Sequence, residues 1–404
     1  MTASAPSRKR SADHLFFLVW FCVRVWVICS CSILITHGLS ELHAGWTDGA
    51  GHPFCEDFLN LWSAGFLLLH DHLMVAYNFE AFHHFQTSIV HHDINLYHYS
   101  YPPVTALLSL PFSLFPYPVA CVLWQGGGWF AFALVLRRIF PKHWCLLALA
   151  WPAVFVNTLS GQTGCWMAAI MGHALIALQD GRKIQAGLLF ALLVAKPQLG
   201  WIVPLALLSG REWKTLFTMA MGSLGLLAMS IMTSGVQPWL AWHERLGILR
   251  RYILEDGSGV MQRMMSVFVL VRHAGADVTT AWLMQSVATL ISVVLLMLVW
   301  SKARENNISF PAKASALIFA MLTATPYVSD YDCVVLAFPC IWLWPLADRG
   351  GRFILGLAAL SPIMAAGIAL GTGIPLAAVF LWAGFLWAVI RVVRRDPVPA
   401  SLKQ

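Results

Sequence analysis

Charge is what this chain has least of. Asp, Glu, Lys and Arg make up 11% of its 404 residues, against about 25% in soluble domains. With 59% hydrophobic residues and a mean hydropathy of +0.69, a water-soluble enzyme is excluded, because a soluble fold of this size could not hide so much apolar surface. A basic helix with interleaved aromatics is also missing, so the net charge of +7 is no nucleic-acid footprint. There is no glycine-rich loop to cradle phosphates, and nothing asks for a nucleotide. The nine cysteines show no spacing of a disulfide framework or zinc site, and most sit in apolar runs as small hydrophobes. The first apolar stretch, His14 to Thr36, exceeds the roughly 7–15 residues of a signal peptide and has no A-x-A site after it, so it reads as an uncleaved span. No internal repeat or low-complexity stretch divides the chain, which predicts one integral membrane domain over 1–404.

What the sequence does have is apolar runs near the length that crosses a bilayer as helix. They lie at about 14–36, 104–137 (interrupted by Pro116-Tyr117-Pro118), 144–159, 163–179, 186–208, 214–234, 279–300, 312–327, 331–347, 353–371 and 374–391. Basic residues punctuate the gaps. With the N-terminus inside and strict alternation, 19 of the 26 Lys and Arg fall on the cytoplasmic side; the others are Arg24, Lys196, Arg245, Arg250, Arg251, Arg263 and Arg272. Residues 37–103, the first large outside loop, contain no Lys or Arg, the strongest topological signal in the chain. Residues 235–278 form a second outside loop. Run 186–208 has basic marks at both ends and Lys196-Pro197-Gln198 in its middle, which predicts a helical hairpin or two broken half-spans meeting near the outer leaflet. The expected fold is an all-α polytopic membrane protein with both termini cytoplasmic.

The candidate residues gather at the predicted outer boundaries. Asp57 opens an amphipathic stretch running to about His70, expected to lie along the membrane surface. The helix end there favours an ionised carboxylate, suited to taking a proton from a sugar hydroxyl; helix capping is the structural alternative. Tyr101, in Tyr97-His98-Tyr99-Ser100-Tyr101-Pro102-Pro103, reads as an interfacial anchor or as a wall for an acceptor sugar. Gly161-Gln162 is a turn between two spans. Lys196 is an ionisable group in an apolar segment, a functional candidate for phosphate unless it snorkels to the surface. The arginines of the second outside loop, Arg250 and Arg251 foremost, run against the positive-inside trend and suit phosphate oxygens; solvated charge is the competing account. Tyr331 and Asp332 stand at another outer boundary, where Asp332 either caps a span or bonds a substrate. Ten of the 15 histidines lie in the first outside loop. They show no H-x-x-x-H spacing, and a solvated loop is the stronger reading, with a divalent metal left open.

Asp57…Trp62-Ser63-Ala64-Gly65, Tyr101-Pro102-Pro103, Gly161-Gln162, Lys196-Pro197-Gln198 and Tyr331-Asp332 occur in an order that resembles glycosyltransferase family 87, over roughly residues 50–340. That family is similar to polyprenyl-phosphate-mannose-dependent α-mannosyltransferases. The resemblance implies a GT-C-type architecture of about 10–12 membrane helices with outer-face loop helices, a polyprenyl-phosphate sugar donor, and Asp57 as the base. It does not carry over the sugar. The resulting expectation is inverting transfer of a hexose, with mannose the candidate, to a glycolipid or glycan acceptor on the non-cytoplasmic face of the cell membrane. Asp57 is the base; Lys196, Arg250 and Arg251 bind the donor phosphate; Tyr101, Gln162, Gln198, Tyr331 and Asp332 contact substrate. Neither a cofactor nor nucleic acid is called for. A transporter or flippase of lipid-linked intermediates is the alternative, for which paired charges at mid-membrane and repeated halves would be expected.

Overall fold

A computed structural model describes residues 5–257, 261–305 and 308–393; Arg394, Arg395 and Lys403 lie outside them. The chain is an all-α polytopic membrane protein. Among the described residues there are no strands, only two isolated bridges, Thr47–Pro53 and Met264–Ser329. The helices are α1 (Ala5–His43), α2 (Phe58–Leu69), α3 (Phe79–Val90), α4 (Pro103–Ser113), α5 (Tyr117–Ile139), α6 (Trp144–Ala150), α7 (Pro152–Leu159), α8 (Gly164–Gln179), α9 (Lys183–Ala191), α10 (Pro197–Gly200), α11 (Val203–Ser209), α12 (Trp213–Ser234), α13 (Gln237–Arg250), α14 (Val267–His273), α15 (Val278–Glu305), α16 (Phe310–Thr323), α17 (Ala337–Leu343), α18 (Arg349–Thr372) and α19 (Ala377–Val393).

Among the described residues five stretches are long and apolar enough to cross a membrane: Trp20–His43, Tyr117–Ile139, Trp213–Ser234, Val278–Lys302 and Arg349–Thr372. They turn large apolar side chains outward, among them Ile28, Val122, Phe217, Leu290 and Phe353. In water such a surface would aggregate; in lipid it is solvated. The shorter helices α8 and α16 are apolar all round and buried almost throughout, as expected of helices at the centre of a bundle.

Proline decides where several runs break. Pro116 and Pro118 separate α4 from α5, and Trp151-Pro152 splits run 144–159 into α6 and α7. Run 186–208 takes the broken half-span form. α9 passes through the 3-10 turn Leu192–Ala195, the backbone leaves helical geometry at Lys196 (φ −133°, ψ 71°), and Pro197 starts α10. Run 331–347 forms a tight 3-10 segment, Asp330–Leu336, leading into α17, in place of a regular span.

The segments alternate between two ends of the bundle. α8 leaves the Gln162 turn and ends at Asp180, which pairs with Arg182 (2.8 Å) and Arg138 (3.5 Å). α9 starts at Lys183, paired with Glu212 at 3.0 Å, and returns to Lys196. The basic punctuation therefore collects opposite the end that holds Lys196 and the Gln162 turn.

Two expectations are corrected. α2 is not half-exposed, as an amphipathic helix would be. Phe58 through Gly65, Leu67 and Leu68 are all buried, and the helix packs tightly on α4. The Ser109 and Ser113 hydroxyls donate to the Leu61 and Trp62 carbonyls, each at 2.9 Å, and a Cβ on Gly65 would stand 2.3 Å from Ser113 Oγ. Small residues on both helices allow the approach, and hydroxyls tie the backbones.

The second correction concerns cysteine. Cys55 and Cys121 form a disulfide, joining the loop before α2 to α5; spacing alone could not reveal partners 66 residues apart. Closing a loop of that size is worth about 4 kcal/mol on the chain-entropy estimate. Non-reducing peptide mapping of the purified protein is expected to recover the two peptides linked, and Cys55→Ser to lower the unfolding temperature. Free thiols at both positions would refute the pairing.

Candidate active site

One cavity of about 640 Å³ opens at the end where the polar boundaries meet. Its walls include Glu56, Asp57, Tyr101, Gln162, Lys196, Gln198, Arg263 and Tyr331. The structure thus brings together Asp57, Tyr101, Gln162, Lys196, Gln198 and Tyr331, all expected from the sequence, across segments far apart in the chain.

The turn between α7 and α8 is the hub. Gln162 Nε2 donates to Asp57 Oδ2 at 2.6 Å, and the Tyr101 hydroxyl donates to Gln162 Oε1 at 3.3 Å. The Asp57 backbone N–H donates to the Ser160 carbonyl at 3.2 Å. Glycine on each side of Gln162 makes this fit possible. Gly161 has φ +63°, and a Cβ there would meet the Cys55 carbonyl oxygen at 1.9 Å; one on Gly164 would meet the Tyr331 carbonyl oxygen at 2.0 Å. The turn is gripped from both sides by backbone, and no side chain larger than hydrogen fits at either position.

Asp57 is the residue before α2, yet its side chain makes no capping bond to the helix N–H groups. The capping alternative is therefore set aside, and the carboxylate is committed to Gln162 and the cavity. Its electrostatics also depart from expectation. Burial pushes the Asp57 carboxyl above the usual carboxylate range, and the Gln162 hydrogen bond and then the Arg263 and Lys196 charges pull it back only in part; desolvation outweighs the helix end. Neighbouring Glu56 is pushed up to about 7, by burial first and then by the charge of Asp57.

Lys196 and Asp332 form a buried ion pair with Nζ 2.5 Å from Oδ1. Lys196 Nζ also donates to the Thr163 hydroxyl at 3.4 Å and lies 4.7 Å from the Tyr331 ring centre. Lys196 therefore does not snorkel. Asp332 does not line the cavity: it is 2% exposed, holds Lys196, and closes a capping box with Ser329. Of the two roles expected for it, the capping one is present, and its other oxygen is given to the lysine.

The second loop delivers a different arginine from the two expected. Arg250 pairs with Glu255 at 3.0 Å and stands over the Trp282 ring, and neither it nor Arg251 lines the cavity. Arg263 does. It grips Asp330 in a two-point fork (Nε–Oδ2 2.9 Å, Nη2–Oδ1 3.1 Å) and donates from Nη2 to Ser160 Oγ at 2.7 Å. Its Nη1 has no hydrogen-bond partner among the described residues. Sequence reading passed over Arg263 because α13 carries the denser basic cluster; the signal available was its place beside the apolar Met264-Met265, which dock it against the bundle.

A second, apolar groove of about 540 Å³ adjoins the cavity, sharing Gln198 and Tyr327 with it and running along Trp201, Trp282, Leu290 and Val293. Leu290 is among the residues exposed on the outer flank of α15. Among the described residues no three His, Cys, Asp or Glu side chains gather as a metal site would require, so the histidines of the first loop stay dispersed.

The profile of glycosyltransferase family 87 matches residues 99–326. That span holds Tyr101, Gln162, Lys196, Gln198, Arg250, Arg251 and Arg263; Asp57, Tyr331 and Asp332 fall outside it. No curated protein and no solved structure matches the chain.

The buried pair makes a sharp forecast. Lys196→Met leaves Asp332 charged and unpaired, and is expected to cost about 3–5 kcal/mol, read as unfolding in detergent. Lys196→Met with Asp332→Leu should recover most of that loss. A double variant no more stable than the single one would show that the two charges do not act as a unit.

Proposed function

This chain belongs to glycosyltransferase family 87, and from that premise we propose that it moves a hexose from a polyprenyl-phosphate donor to a glycolipid or glycan acceptor, with inversion, on the non-cytoplasmic face of the membrane. The observation that carries the proposal is the junction of two unlike spaces: a polar cavity around Asp57 shares walls with an apolar groove bordered by the lipid-facing helix α15. A lipid-linked sugar has the same two halves. Its prenyl chain suits the groove and its phosphate and sugar suit the cavity. The lack of Lys and Arg in residues 37–103 and the Cys55–Cys121 disulfide support the outward placement. We further propose that the chain works as one integral membrane unit, with both termini in the cytoplasm.

In this reading Asp57 is the general base. It takes the proton of an acceptor hydroxyl as that oxygen attacks the anomeric carbon, and the bond to the lipid phosphate breaks with the electron pair leaving on phosphate. Gln162 fixes the carboxylate while leaving Oδ1 for the proton; among the described residues the only hydrogen bond to Oδ1 is a long one from Asn60, at 3.5 Å. Arg263 takes the role first assigned to Arg250 and Arg251. Its fork on Asp330 holds the guanidinium rigid, and Nη1 remains for a phosphate oxygen. Lys196 has three N–H donors, of which Asp332 and Thr163 accept two. Donors held in place in a low-dielectric site stabilise developing charge without reorganising. Phosphate is a good leaving group, so the mechanism calls for no strong general acid and no cofactor.

Asp57→Asn in purified protein supplied with synthetic polyprenyl-phosphate hexose is expected to lose about 10²–10⁴-fold in turnover; near wild-type turnover would remove Asp57 from the role. The base works deprotonated and its carboxyl is shifted up, so the rate should rise with pH along a limb centred above the ordinary aspartate value of about 4. Arg263 lowers the Asp57 pKa, so Arg263→Gln should move that limb to higher pH, whereas an unmoved limb would separate Arg263 from the base. The groove makes its own forecast: shortening the prenyl chain should raise the donor KM in wild type, and Leu290→Asp should abolish the advantage of the longer chain. A KM indifferent to chain length would take the lipid out of the groove.

A further inference from the structure

Glu56 is the one carboxylate lining the cavity that the mechanism leaves unused. Asp57 is held by Gln162, and Asp330 and Asp332 are tied to Arg263 and Lys196. Glu56 lines the same space as Asp57, but its carboxylate has no hydrogen-bond partner among the described residues. The Tyr97 hydroxyl is likewise unpartnered, and it lies near enough to Glu56 and Asp57 for their charges to raise its pKa further, after burial. Polar groups part-buried and left without partners call for an explanation.

The local backbone is built to present both acids. Successive side chains on a helix diverge by about 100°, so neighbours in sequence do not ordinarily face one small cavity. Here Cys55 and Glu56 both take left-handed backbone, φ +64° and +35°. For residues other than glycine this conformation costs of order 1–3 kcal/mol each. The turn is held in place: Cys55 is bonded to Cys121, its carbonyl is pressed against Gly161, and the Glu56 N–H donates to the Pro53 carbonyl at 2.8 Å. The strain is met by these clamps, and its product is a pair of consecutive carboxylates on one wall. In the same cavity, rings form an edge-on pair, with His98 and Tyr252 centred 4.7 Å apart at 89°. Tyr97, His98 and Tyr252 all line the same cavity as Glu56.

We propose that the part of the cavity lined by Glu56, Tyr97, His98 and Tyr252 is a binding subsite for the terminal pyranose of the acceptor, with Glu56 accepting hydrogen bonds from adjacent sugar hydroxyls and the Tyr97 hydroxyl completing the set. The inference rests on the reading of the chain as a polyprenyl-phosphate hexosyltransferase, and it names the acceptor class. That acceptor is a sugar presenting neighbouring hydroxyls, held one residue from the base that deprotonates it. The apolar faces of the ring meet the Tyr97, His98 and Tyr252 rings. Glu56 is a positioning residue, and its effect belongs in acceptor binding.

Protein in lipid nanodiscs would be titrated with methyl α-mannoside, methyl α-glucoside and methyl α-galactoside, with tryptophan fluorescence as the binding readout. At least one glycoside is expected to bind saturably, with affinity falling tenfold or more in Glu56→Gln and severalfold in Tyr97→Phe. Both variants are near isosteric, and their unfolding temperatures should match wild type within a few degrees. Saturable binding of none of the three, or equal binding by Glu56→Gln, would overturn the subsite. Steady-state transfer from polyprenyl-phosphate mannose or glucose separates this idea from the one beneath it. The subsite predicts a raised acceptor KM in Glu56→Gln with the donor KM unchanged. A raised donor KM instead would overturn the subsite and leave the enzyme reading standing. Glu56-dependent glycoside binding without any hexosyl transfer would support the subsite and sink the donor assignment.

Discussion

The contact on which this structure turns is the hydrogen bond from Gln162 to Asp57, 2.6 Å long between residues 105 apart in the chain. It joins the loop before α2 to the turn between α7 and α8, and steric fit leaves that turn no freedom. Backbone of the Asp57 loop closes on Gly161, and backbone of the Asp330–Leu336 segment closes on Gly164. Three segments far apart in sequence therefore share one set of coordinates. Any displacement of the turn moves the carboxylate, the Tyr101 hydroxyl and the Tyr331 ring together. Preorganisation of this kind is what a site needs if its donors and base are to be in place before substrate arrives.

The membrane explains why such a hub lies at one end of the bundle. Backbone polar groups facing lipid must be satisfied within their own helix, and irregular backbone survives at depth only where protein or a wet cavity surrounds it. The break at Lys196 and the tight turn at Asp330–Leu336 sit against each other through the Lys196–Asp332 pair. The Gln162 turn lies beside them, with Thr163 accepting from the same lysine. Each interruption supplies walls for the others, and together they make the cavity. Long uninterrupted helices such as α12 and α15 are left to face lipid, where regularity is obligatory.

Legibility in the sequence followed the range of each interaction. The spans, the broken run at Lys196-Pro197 and the polar outer boundaries are local patterns of hydrophobicity and proline, and they were readable. Lys196 was readable as a candidate because it is an ionisable group inside an apolar run, and Asp57, Tyr101, Gln162, Gln198 and Tyr331 because they stand at or beside the breaks in or between such runs. Pairings were not. Nothing local says that Asp332 belongs to Lys196 and not to a ligand, that Cys55 meets Cys121, or that Arg263 and not Arg250 reaches the cavity. The half-exposed character expected for α2 failed for the same reason: nothing local says that Ser109 and Ser113 of α4 dock on it. The upward push on the Asp57 carboxyl was not readable, because a helix end is visible in sequence while burial is not.

Charge balance in the cavity constrains how an anionic donor can be accepted. Arg263 is matched by Asp330 and Lys196 by Asp332, each pair in close contact. Neither cation is spare, and the surplus charge of the site is that of Asp57 and Glu56. A phosphate entering such a place gains little from net attraction. It gains from oriented N–H donors whose own charges are already compensated, since these cost no further desolvation when the ligand binds. The two surplus carboxyls are meanwhile pushed toward protonation by burial, and a phosphate beside them pushes in the same direction. On the reading proposed above, the paired cations would therefore serve the donor by orientation and not by net attraction.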